Sequence, residues 1–155
     1  MRKARSIHNV KVCGITRQED AARCAALGFG AVGFVFHPAS PRNIVPLAAR
    51  AIVDTLPPAM AAVGVFVGEA LDMIIAPATT VRLTTIQLHG REPESTVIRL
   101  QASGYHVVKV ARSAAEAREM IGTLPLNTSI LLECGRGPLP GGNGAVWNWA
   151  AARQV

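Results

Sequence analysis

Aromatic side chains are scarce in this chain of 155 residues, at 5% with a single tyrosine, and charged residues make up only 17%. The net charge of +6 comes mostly from scattered arginines, with only Arg2, Lys3 and Arg5 clustered. Without basic runs interleaved with aromatics, the composition argues against a nucleic-acid partner. Cysteine is equally sparse: Cys13, Cys24 and Cys134 have neither CxxC nor Cys/His ligand spacing. That pattern indicates no zinc site and no disulfide framework, and it fits a reducing cytoplasm. Long apolar runs are also missing. The uncharged stretch 25–41 is broken by three glycines and two prolines, too often to cross a bilayer. The basic start Met1–Ser6 leads into His8 and Asn9 in place of an apolar segment, so it does not read as a secretory signal.

What the chain does have is apolar bulk. Half of its residues are hydrophobic, with no linker or low-complexity tract, which predicts one domain spanning 1–155. Buried runs at 31–36, 61–67, 84–88, 106–110 and 129–132 follow a first short one that ends at Cys13. Helical stretches fall between them, including 69–76, 94–103 and 114–121, and Pro46 is expected at a first helical position. Pro77 should stop the third helix near Ala76, because an interior proline costs about 3 kcal/mol. The strands are continuously apolar and not alternating, as strands covered on both faces are. Six strands separated by helices predict a parallel α/β sheet whose strand C-termini share one rim.

The segment Val10-Lys11-Val12-Cys13-Gly14-Ile15-Thr16 places a thiol on that rim, where a βα unit builds its chemistry. Thr16 and Glu19 have the spacing of a capping box, which predicts a helix start directly behind the glycine. Cys13 read in isolation is equally compatible with an inert buried thiol. The same rim collects the loop 37–43, Gln87-Leu88-His89-Gly90, Arg112 and Glu133. Arg42 alone would read as a solvated surface charge and His89 as a structural histidine. Cys24 lies on the helix face turned to the sheet and reads as packing, and Cys134 receives no role.

Five motifs in order, Lys11–Thr16, Gly33–Phe36 leading to Ser40-Pro41-Arg42, Val63–Val67, Gln87–Gly90 and Gly141-Gly142-Asn143-Gly144, resemble the phosphoribosylanthranilate isomerases of tryptophan biosynthesis. The resemblance spans residues 10–149 and implies a (β/α)8 TIM barrel. It also implies an Amadori rearrangement of a phosphorylated aminosugar, aldose to ketose, with no metal or organic cofactor. By the same resemblance, Cys13 matches the general base that takes the C2′ proton, and the strand-6 carboxylate, Glu133, matches the general acid that protonates the furanose oxygen. Arg42 matches the contact to the anthranilate carboxylate, which a guanidinium can grip with two hydrogen bonds. His89, Gly141 and Gly142 are expected to line the substrate site.

The sequence departs from the family pattern in three places. Strand 6 ends in Glu133 where aspartate is usual, and Asn148 stands where aspartate is frequent. The sequence also ends at Val155, after about six of the eight expected βα units. The loops after strands 7 and 8 usually hold phosphate in this fold. Strands 1 and 6 are then expected as open sheet edges capable of self-association. Two rivals to the isomerase reading are an inactive remnant or interaction module of the same fold, and another sugar-phosphate isomerase.

Overall fold

The structure, a computed structural model, describes residues 10–134 together with 150 and 153. Strands and helices alternate as β1 (Lys11–Cys13), α1 (Gln18–Ala26), β2 (Ala31–Val35), α2 (Pro46–Val53), β3 (Ala61–Phe66), α3 (Leu71–Val81), β4 (Thr85–Leu88), α4 (Glu94–Ala102), β5 (His106–Ala111), α5 (Ala114–Thr123) and β6 (Ser129–Leu132). Every neighbouring pair is parallel, and the strand order follows the chain order from β1 to β6. A parallel sheet that never reverses direction, with helices between all its strands, is the wall of a (β/α) barrel, here with six strands and the five helices between them among the described residues.

The two faces of the sheet have different tasks. Val32, Phe34, Ala62, Phe66, Ile86, Leu88 and Val107 face the helices, where they pack with Ile52, Ile74, Val81, Val97 and Leu100. Phe36 stacks on Phe66 with ring centroids 5.2 Å apart. Because strand side chains alternate, the other face carries Lys11, Cys13, Gly33, Val63, Val65, Thr85, Gln87, His89, Val110 and Glu133 in register. That inner face is the polar one, and it is where the site lies.

Two local expectations are corrected. Helix α3 does not stop at Ala76 but runs through Pro77 to Val81, with Arg82 closing it in a left-handed conformation at φ 59°. Ile74, Ala78 and Val81, on the same helix, are completely buried, at 0% exposure. Burying an Ile or Val side chain is worth about 1.5–3 kcal/mol, enough to offset the cost of the proline. The ring disturbs the carbonyl one turn back at Met73, an exposed residue whose backbone can turn to water.

The Thr16–Glu19 capping box does not form. Arg17 is the N-cap of α1 with no side-chain cap bond, and Glu19 accepts from Arg17 Nη2 at 2.6 Å instead. The cause lies one residue earlier. Ile15 is buried at 5% exposure, and its amide and that of Gly14 both donate to the Gly33 carbonyl at 2.9 Å. Anchoring Ile15 delays the helix by one residue, so Glu19 reaches the second helical position and not the third. The same device appears, unanticipated, at α5. The Ser113 hydroxyl accepts from the Glu116 amide at 3.0 Å, and the Glu116 carboxylate accepts from the Arg112 amide at 2.6 Å.

Candidate active site

At the end of β1 the chain turns sharply at Gly14, whose φ of +87° lies in the left-handed region that side chains disfavour. A second constraint acts at the same glycine. The Arg42 side chain lies across it, and a Cβ there would come within 2.5 Å of Arg42 Cδ and 2.7 Å of Nη1. Arg42 Nη1 also donates to the Cys13 carbonyl at 3.0 Å. The loop that carries Arg42 is held by the parallel bridge between Val35 and Asn43, by Ile44 N donating to Val35 O at 3.1 Å, and by Arg42 N donating to Ser40 Oγ at 3.1 Å. A surface arginine is thereby brought 29 positions back along the chain and laid over the cysteine turn.

The Cys13 thiol points into the inner face beside Lys11. A Cβ on Gly33 would lie 3.2 Å from Cys13 Sγ and 3.0 Å from Lys11 Nζ, so the bare glycine keeps open the space where the two converge. Lys11 Nζ is buried with no hydrogen-bond partner among the described residues. Burying a polar group without a hydrogen bond is costly. Gln87 Oε1 and His37 Nδ1 are likewise buried and unpartnered.

The other end of the sheet gathers the acid and the imidazole. His89 Nε2 is in direct contact with Glu133 Oε2, with the His89 side chain 8% exposed and that of Glu133 27%. Arg112 Nη2 reaches the His89 carbonyl at 3.4 Å. Burial pushes the His89 imidazole below its ordinary value, the Glu133 carboxylate works in the opposite direction, and Arg112 adds to the lowering. The burial cost of the cation outweighs the carboxylate's attraction for it, so the neutral imidazole is favoured.

The structure therefore joins Arg42 to Cys13, and His89 to Glu133, at the C-terminal ends of β1, β4 and β6. Cys24 is buried at 7% exposure in the helix-facing core, and burial pushes its thiol up. Gly141 and Gly142, like Asn143, Gly144 and Asn148, lie outside the described residues. Among the described residues, no group of three or more His, Cys, Asp or Glu side chains is placed to hold a metal ion. None of their helices is long and apolar enough to cross a membrane. Sequence reasoning missed Lys11 and a buried Glu92–Lys109 pair. The only signal for either was a lysine inside an apolar strand.

Comparison with known proteins gives this arrangement its context. The family model for N-(5'phosphoribosyl)anthranilate (PRA) isomerase matches residues 10–154. An N-(5'-phosphoribosyl)anthranilate isomerase from Desulfatibacillum aliphaticivorans is 37% identical over 148 residues, covering 94% of this chain and 67% of that protein. The crystal structure of phosphoribosyl anthranilate isomerase from Thermus thermophilus superposes with a TM-score of 0.80 at 36% identity, over 92% of this chain and 68% of that one. A further isomerase structure, in complex with reduced 1-(o-carboxyphenylamino)-1-deoxyribulose 5-phosphate, matches at 38% identity and TM-score 0.70 over 79% of this chain and 63% of that one. The chain thus spans about two thirds of the length of these relatives. Matched by that family model over residues 10–154 and by a relative at 37% identity, the chain belongs to the N-(5'-phosphoribosyl)anthranilate isomerase family, an isomerase family of tryptophan biosynthesis.

Proposed function

We propose that this chain carries out the aldose-to-ketose Amadori rearrangement of N-(5'-phosphoribosyl)anthranilate, with Cys13 as base and Glu133 as acid. The observation that carries the assignment is the Arg42 guanidinium laid over Gly14 and bonded to the Cys13 carbonyl. It sets a planar cation suited to an aromatic carboxylate directly beside the candidate base. Glu133 protonates the furanose oxygen as the C1′–O bond breaks, and the anthranilate nitrogen supplies the electron pair that forms the iminium. Cys13 as thiolate then removes the C2′ proton, and the resulting enolamine tautomerises to the ketose. His89 lines the site and holds the Glu133 carboxyl. Gly141 and Gly142 complete the substrate lining by the family pattern.

Glutamate in place of aspartate moves the acid by one methylene, and a misplacement of about 1 Å can cost on the order of 100-fold in rate. Glu133→Gln should abolish product formation from phosphoribosylanthranilate, whereas Glu133→Asp should preserve or raise it. Equal turnover by the glutamine variant would move the acid elsewhere.

Cys13, Cys24 and Cys134 form no disulfide among the described residues, which suits a reducing cytoplasm. The chain acts as one domain. Among the described residues β1 and β6 end the sheet, and Leu131 on β6 is 39% exposed. Such edges pair with other chains unless they are covered, so the chain self-associates through them. Sedimentation velocity should show a dimer or larger species across micromolar concentrations. A monomer at every concentration would rule this association out.

A further inference from the structure

Glu92, in the loop between β4 and α4, and Lys109, on β5, form an ion pair whose side chains are only 1% and 5% exposed. Lys109 shares its face of β5 with Val107 and Ala111, on the helix side of the sheet, opposite the face that carries Cys13, His89 and Glu133. Taking both charges out of water is expensive, and an apolar pair of similar volume often serves stability as well. The pair's other hydrogen bonds show a different use.

Glu92 Oε2 meets Lys109 Nζ, while Glu92 Oε1 accepts from the amides of Gly68 at 2.7 Å and Gly90 at 3.0 Å. Lys109 Nζ also donates to the Gly90 carbonyl at 2.8 Å. Both polar groups of the Gly90 backbone are therefore held by one ion pair. The fit leaves no room for a side chain, since a Cβ on Gly90 would lie 2.4 Å from Gly68 N and 2.6 Å from Glu92 Oε1. Immediately before Gly90 stands His89, whose amide donates to Phe66 O at 2.8 Å.

We propose that Glu92 and Lys109 are positioning residues for the isomerase site: a buried charged brace that fixes Gly90, and through it aims the His89 imidazole at Glu133. The inference rests on the reading of His89 and Glu133 as the acid end of the site. The brace acts from behind the sheet and touches no reacting atom. It joins the loops after β3 and β4 to β5, so the imidazole depends on three units of the barrel at once.

The test separates positioning from stability. Lys109→Met leaves Glu92 buried and unpaired, and the melting temperature should fall. The double variant Glu92→Gln/Lys109→Met removes both charges, yet keeps an amide oxygen for the Gly68 and Gly90 donors, so it should melt within a few degrees of the parent. In that folded double variant the ring-nitrogen NMR signals of His89 should shift or broaden, while those of His106, which bonds Ser129 on β6, stay in place. Turnover should show a kcat at least tenfold lower, with KM changed by less than threefold. Recovery of stability together with parental His89 signals and kcat would show that the pair only holds the fold, and would overturn the proposal. The NMR measurement needs no turnover. A parent without isomerase activity would count against the proposed function, and the His89 signals would still decide for or against the brace.

Discussion

At the scale of single residues, the candidate site consists of ordinary side chains made unusual by their neighbours. Arg42 is solvent-facing chemistry recruited by a bare glycine, and His89 is a histidine kept neutral chiefly by burial. The latter has a consequence for stability. An imidazole whose folded value lies below its unfolded value of about 6.5 adds no pH dependence well above that value. As pH falls through 6.5 the unfolded chain takes up the proton first, and stability declines until the folded imidazole also protonates. Urea unfolding between about pH 7.5 and pH 5 should therefore show a loss of stability toward acid that is smaller in His89→Asn. A parent that gains stability toward pH 5, or identical slopes in the two proteins, would contradict this assignment. Cys13, His89 and Glu133 could be picked out from the sequence because each follows or closes an apolar run, and Arg42 by the Ser40-Pro41-Arg42 motif of the family resemblance. Their pairings could not, since contacts across 29 or 44 positions depend on how loops fold over the rim.

The elements were more legible than their ends. Among the described residues, the helices α1 to α5 and the parallel strands β1 to β6 follow from the apolar runs and the punctuation between them, and Pro46 does open α2. The misreadings at α1 and α3 share a cause: local propensity was overruled by burial. At α1 the anchoring of Ile15 displaces the cap, and at α3 three buried side chains carry the helix through a proline. The second case predicts a stabilised variant. Pro77→Ala restores a helical amide and relieves the ring clash, against a smaller loss from a freer unfolded chain of about 0.4–1 kcal/mol. Chemical denaturation should show a gain of about 1–2 kcal/mol. A loss would mean that the ring's own packing outweighs the backbone bond it removes. The Ser113–Glu116 cap was readable by the same spacing rule that failed at Thr16, because the Ser113 hydroxyl does reach the Glu116 amide.

For the whole molecule, the sequence-ordered sheet does most to create function, because it brings the ends of β1, β4 and β6 to a common rim. The inner face could be read as polar only after register was known. Lys11, Cys13, Gln87 and His89 sit beside apolar residues in the sequence, and only alternation across paired strands collects them on one side. The proposed base and acid then stand on strands at opposite ends of the sheet order, as a pair that must span a sugar between them requires. The most direct measurement of that claim is turnover of phosphoribosylanthranilate by Cys13→Ser, alongside a parental melting curve. A serine hydroxyl is a far weaker base than a thiolate at neutral pH, and a general base is worth about 10²–10⁴ in rate. The account predicts a folded variant with kcat reduced by at least 100-fold. Activity within about tenfold of the parent would show that the proton leaves C2′ by another route.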